Sequence, residues 1–158
     1  MRITARATEL GQETSAIKSR VLGVLALTLA LLFGAASPGA AQSQYRPAII
    51  VDGEVITAYQ LSQRQAFLTL LRAPGDIRKL AADQLTNEAL QLREAHKAGV
   101  SVDDATIAAG MDEFAARGSL STEQLLQLFT QNGIGAETFR DFVTAGVTWR
   151  EFIKTQFL

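Results

Sequence analysis

The stretch Asp76 to Val100, DIRKLAADQLTNEALQLREAHKAGV, constrains the fold more than any other part of the chain. It has the start, stripe and stop of one long helix. Asp76 can accept from the unpaired N–H groups of the first turn, where the helix dipole also favours a carboxylate. At 100° per residue, Ile77, Ala81, Leu85, Ala89, Leu92 and Ala95 share one broad side. Arg78, Asp83, Gln91 and Arg93 fall largely elsewhere. Lys97 puts positive charge in the last turn, and Gly99 can take the left-handed conformation that ends a helix. Leu90 points away from the stripe, so it either meets a second element or leaves an apolar spot for a partner.

A helix with one apolar side needs others to cover it, and the rest of the chain supplies them. AIIVDGEVIT, Ala48 to Thr57, sets two β-branched runs around Asp52-Gly53, a dipeptide suited to a tight hairpin turn. Such a hairpin is marginal alone and needs a face to pack on. Thr57-Ala58-Tyr59-Gln60 has the capping-box pattern and predicts a first helix from about Ala58 to Arg72, with Leu61, Leu68 and Leu71 apolar and Phe67 and Arg64 at the edges. Ala73-Pro74-Gly75 breaks it. Beyond the organising helix, a third is expected from about Asp104 to Arg117 with a thin stripe of Ile107, Met111 and Phe114, ended by Gly118. Ser121-Thr122-Glu123-Gln124 opens a fourth, carrying Leu125, Leu128 and Phe129 and closed by Asn132-Gly133. A fifth starts at Gly135 or Ala136. In it Phe139, Phe142, Val143, Gly146, Trp149, Ile153 and Phe157 share a side, Arg150 falls inside that stripe as a buried stem or, in the competing reading, as a direct ligand contact, and Phe152 lies opposite as an exposed contact. The fold class expected is mainly α, five helices with a short N-terminal β-hairpin. The apolar pattern runs on to Leu158 without a stop signal, which suggests truncation at the C-terminus.

The N-terminal residues read differently. Arg2, Arg6, Lys18 and Arg20 precede the apolar run VLGVLALTLALLFGAA, Val21 to Ala36, followed by Ser37, Pro38 and small residues. This is the pattern of a secretory signal, with cleavage expected after Ala41; a retained anchor is the competing reading and the only route to a membrane. Removing these 41 of the 158 residues takes away four of 15 basic and two of 16 acidic side chains, leaving residues 42–158 with a formal charge of about −3. No basic cluster marks a nucleic-acid footprint. With no cysteine in the chain, stability in an oxidising compartment rests on core burial, and thiol chemistry is excluded.

Reactive constellations are missing too. There is no Gly-rich phosphate loop, HExxH, nucleophile elbow or EF-hand loop, and a single histidine, His96, sits where a helix C-terminus favours its cation. Asp103 with Asp104 and Asp112 with Glu113 are adjacent carboxylates that point about 100° apart on a helix, so they read as caps or solvated faces. No catalytic, metal or cofactor site is expected.

The order of these elements, from VDGEVIT entering the first helix through the Leu85, Glu88, Leu92, Glu94, Ala95 and Gly99-Val100 pattern to Phe139-Arg140 and Trp149-Arg150, resembles the N-terminal domain of SurA-type periplasmic chaperones. The resemblance implies a periplasmic module, residues 42–158, that holds unfolded outer-membrane proteins without a nucleotide. It also implies continuation into parvulin-type peptidyl-prolyl isomerase domains and a returning C-terminal segment, neither of which matches residues of this chain. The alternative is therefore the N-terminal fragment of such an isomerase, and a third is an assembly subunit that swaps its last helix with a second copy. Candidate client contacts are Met111, Phe114, Leu120, Phe129 and Phe152, with core packing the competing reading for all but Phe152.

Overall fold

A computed structural model describes residues 44–158; the expected signal segment lies outside them. Strands β1 (Pro47–Val51) and β2 (Glu54–Thr57) form an antiparallel hairpin, followed by α1 (Ala58–Leu70), α2 (Ile77–Lys97), α3 (Asp104–Arg117), α4 (Thr122–Gln131) and α5 (Ala136–Phe157). The mainly helical architecture expected from the sequence is the one observed.

Asp52 and Gly53 both have positive φ, 49° and 91°, as the two-residue hairpin turn requires. Alternation along the pair Ile49–Ile56 and Ile50–Val55 turns the first pair inward and leaves Ile50 and Val55 exposed. Arg93 on α2 ion-pairs with Asp52 and ties the turn to the long helix.

The helix starts follow the expected caps. Asp76 accepts from the N–H groups of Arg78 and Lys79, and Asp103 from that of Thr106. Thr57 with Gln60 and Ser121 with Gln124 form complete capping boxes. Gly135 brings no capping side chain to α5. Gln63 of α1 instead fixes the chain entering the helix, its Oε1 accepting from Gly135 N at 2.8 Å and its Nε2 donating to Gly133 O at 3.1 Å.

The helix ends depart from expectation in an instructive way. All of α1 to α4 close with a left-handed residue followed by an N–H that reaches back five residues: Ala73 to Leu68, Val100 to Ala95, Leu120 to Ala115 and Ile134 to Phe129. Gly99 and Gly133 supply the positive φ as expected, but in α1 and α3 it falls on Arg72 (54°) and Ser119 (58°). Gly118, the expected stop of α3, has an ordinary φ of −91°. The residue after each left-handed position is apolar; Ala73, Leu120 and Ile134 pack on the core, and behind Arg72 and Ser119 that contact offsets the cost of a side chain in this conformation.

The core is a cluster of five phenylalanine rings. Phe67 of α1 lies 5.2 to 6.4 Å from the rings of Phe114, Phe129, Phe139 and Phe142 on α3, α4 and α5. Ala81, Ala89 and Ala95 are the buried residues of α2, while Ile77, Leu85, Leu90 and Leu92 are half-buried, so small side chains set its approach to α1 and α5. Leu128, expected on the apolar side of α4, is exposed.

Arg64, placed by periodicity at an edge, is 1% exposed. Its Nη1 and Nη2 donate to the two carboxylate oxygens of Glu88 at 2.5 and 2.8 Å, Nη1 also reaches Gln84 Oε1 at 3.2 Å, and the guanidinium lies 5.2 Å from the Phe142 ring centroid. A bidentate pair this deep makes each partner depend on the other, because a lone charge left behind has no solvent. Glu88→Ala should destabilise the chain by about 3 kcal/mol in urea unfolding. The Arg64→Met/Glu88→Met double variant should lie closer to wild type than Glu88→Ala, since no unpaired charge then remains buried.

Candidate functional site

Helices α2 and α3 both pack on α5 without packing closely on one another. The gap between them is a groove of about 470 Å³ floored by α5 and the aromatic cluster. Phe142 and Phe114 show an edge to it, and Val143 and Val147 form its base. On the α2 side stand Gln84, Asn87 and Gln91; on the α3 side stand Glu113 and Arg117, with Arg150 of α5 at the end.

Two glycines shape this groove in opposite ways. A Cβ on Gly110 would lie 2.7 and 2.9 Å from the Val147 and Val143 methyls, so its absence lets α3 sit close on α5. A Cβ on Gly146 would meet nothing within 4 Å. Helix packing therefore does not require Gly146, and what its missing side chain leaves is open groove.

The charges on the rim are coupled. Glu113 accepts from Arg117 at 2.7 Å and from Arg150 at 3.3 Å, and the two guanidiniums, Arg117 foremost, hold its carboxyl below the usual range. Arg150 is half exposed on this rim and not the buried stem expected within an apolar stripe. The physical reason is that α5 has partners on both flanks: Ala145, Val147 and Thr148 are buried while Gly146 and Arg150 face the gap between those partners.

A second, smaller cleft of about 180 Å³ lies among the hairpin, α1, α2 and α5, with Val55, Ile56, Leu85 and Leu92 as its apolar part. Its polar side is acidic. Tyr59 Oη donates to Glu137 at 2.5 Å, which raises the phenol above its ordinary value. Asp141 is pushed up by crowding from the surrounding protein and then by Glu137, against the opposing pull of Arg64 and Arg140.

The sequence-derived candidates separate in the structure. Met111 and Phe129 lie in the core, 8% and 0% exposed. Leu120 is the apolar residue that packs back after the left-handed end of α3. Phe114 is half-buried in the groove wall. Phe152 is half-buried, stacked on Trp149 with centroids 4.9 Å apart, and away from the groove lining. The residues that sequence reasoning did not select are Gly146 and the amides of α2. A mid-helix glycine with no turn to make was the available signal.

A family model described as the SurA-like N-terminal domain matches residues 11–153. The chain belongs to this family. Chaperone SurA of Alkalilimnicola ehrlichii is 29% identical over 123 residues, covering 73% of this chain and 28% of that protein. Chaperone SurA of Alcanivorax borkumensis is 26% identical over 132 residues, 78% of this chain and 30% of the relative. That of Pseudomonas fluorescens is 28% identical over 122 residues, 72% and 29% respectively. The chain thus spans about three-tenths of the length of these curated relatives. No solved structure gives a significant match. Within the SurA-like domain, no cluster of His, Cys, Asp and Glu among the described residues could hold a metal, and no described helix is long and apolar enough to cross a membrane.

The two glycines give a paired test. Gly110→Ala should destabilise by about 1–3 kcal/mol through overpacking against Val143 and Val147. Gly146→Ala should stabilise by up to about 1 kcal/mol through helix propensity, both read by urea unfolding. Asp141 gives a pH test. Its folded-state value is raised, so the folded chain binds its proton more tightly than the unfolded chain, and stability is lost as pH rises through the folded value. Asp141→Asn should therefore be the more stable protein at neutral pH, with the difference closing as pH falls below 3.8, the ordinary value for this group.

Proposed function

We propose that residues 1–41 export this chain to the periplasm and that residues 42–158 hold unfolded outer-membrane proteins there, by passive contact with apolar surface and without a nucleotide. The reading rests on family membership and is carried by one observation, the open groove between α2 and α3 with aromatic edges at its floor. An unfolded β-strand client alternates apolar and polar side chains along an extended backbone. A groove that offers an apolar base, amides on its α2 wall and charged groups on its α3 rim can take such a segment with little demand on its order. The exposed Ile50–Val55 face of the hairpin adds a second apolar surface.

The purified chain, added in several-fold molar excess to an outer-membrane β-barrel protein diluted from urea, should slow the rise of light scattering. It should do so equally with and without ATP. Unchanged aggregation at that excess would count against the reading.

A further inference from the structure

We infer that the groove between α2 and α3 seats an extended peptide by a single apolar or aromatic side chain placed over Gly146, with a neighbouring carboxylate of the peptide held by Arg150. The inference deepens the client-holding reading and rests on it.

Three features of the groove lead there. The first is the vacancy over Gly146, exposed in the middle of a 22-residue helix where glycine is unfavourable and where no neighbour excludes a Cβ. Beneath and beside that space lie Val143, Val147 and the edges of Phe114 and Phe142, so the group that fits is apolar. The second is charge. Two guanidiniums, Arg117 and Arg150, share the one carboxylate of Glu113, so this rim carries an uncompensated positive charge. Across the groove Glu88 is already neutralised by its bidentate pair with Arg64. An acidic group on the occupant therefore meets attraction at the Arg150 end and no opposing free carboxylate on the far wall. The third is the α2 wall, where Asn87 and Gln91 bond to no other described side chain or backbone group and Gln84 uses only its oxygen, on Arg64. Primary amides that can both donate and accept suit the backbone of an extended segment whatever its sequence.

The test uses two coumarin-labelled, C-terminally amidated octapeptides of Ser, Thr and Gly, one with a central Phe-Asp and one with Phe-Asn, titrated with the purified chain by fluorescence anisotropy. The wild-type chain should bind the Phe-Asp peptide about threefold more tightly, the size an exposed charge pair provides. Arg150→Gln should bring the two peptides to equal affinity. Gly146→Leu should weaken both by more than about tenfold while its thermal midpoint stays at or above that of wild type, since leucine enters open space and favours helix. Unchanged binding by Gly146→Leu, or no preference for Asp in the wild type, overturns the assignment. So does a concentration-dependent dimer whose formation displaces the peptide, because the occupant would then be a second copy. A wild-type chain that suppresses client aggregation but binds neither peptide overturns the groove assignment alone, whereas failure to suppress aggregation tells against the chaperone reading itself.

Discussion

One ring, Phe67, is where four helices meet. It projects from α1 into rings supplied by α3, α4 and α5, and these pack on one another as well, with Phe139 lying 5.2 Å from Phe114 and 5.4 Å from Phe129. Aromatic pairs in tilted and edge-on arrangements add to the burial each ring already contributes. The position of α2 depends on a different device, since its buried residues are alanines. Besides the apolar contacts of Ile77, Leu80 and Ala81, its bond to the cluster is Glu88, gripped by Arg64 one turn before Phe67 on α1. Arg64 lies within 6.0 Å of the Phe67 centroid as well as near Phe142, so the ion pair and the aromatic cluster are one packed unit. An isolated charge there would be costly; a bidentate pair against two ring faces specifies how α1 and α2 must align.

Legibility from sequence followed the range of the forces involved. Caps and hairpin turn were legible because they depend on residues three or four apart: Asp76, Thr57 with Gln60, Ser121 with Gln124, Asp52-Gly53. Helix ends were half legible. Where glycine took the left-handed position its reason was local, but Arg72 and Ser119 adopt it because Ala73 and Leu120 are drawn into the core behind them. That cause is tertiary, and no window of sequence contains it. The same holds for Gly135, whose N–H is taken by Gln63 of α1.

The groove was the least legible part, for a reason visible in α5. A single hydrophobic stripe assumes one buried face. Helix α5 has α2 on one flank and α3 on the other, so its buried residues spread around the axis and the strip between the flanks opens to solvent. Gly146 and Arg150 occupy that strip. On a helical wheel they sit among Phe142, Val143 and Trp149 and look like core positions. A glycine and an arginine are poor core residues by composition alone, and that misfit was the available sign that the stripe was interrupted there.

The groove's dimensions bear on how a passive holder could work. A space of about 470 Å³ takes a short stretch of chain, and neither its amide wall nor its half-exposed rim charges provide large energies in water. In the client-holding reading, each engagement is therefore weak and short-lived. An unfolded β-barrel chain repeats the same extended apolar pattern many times, so release of one segment leaves others at high local concentration. On that reading retention comes from repetition along the client, and weak grip at any one point leaves each strand free to depart when it finds its own partner. In the client-holding reading, a tight site would hinder that handover, and a shallow groove with mixed walls is the geometry that avoids it.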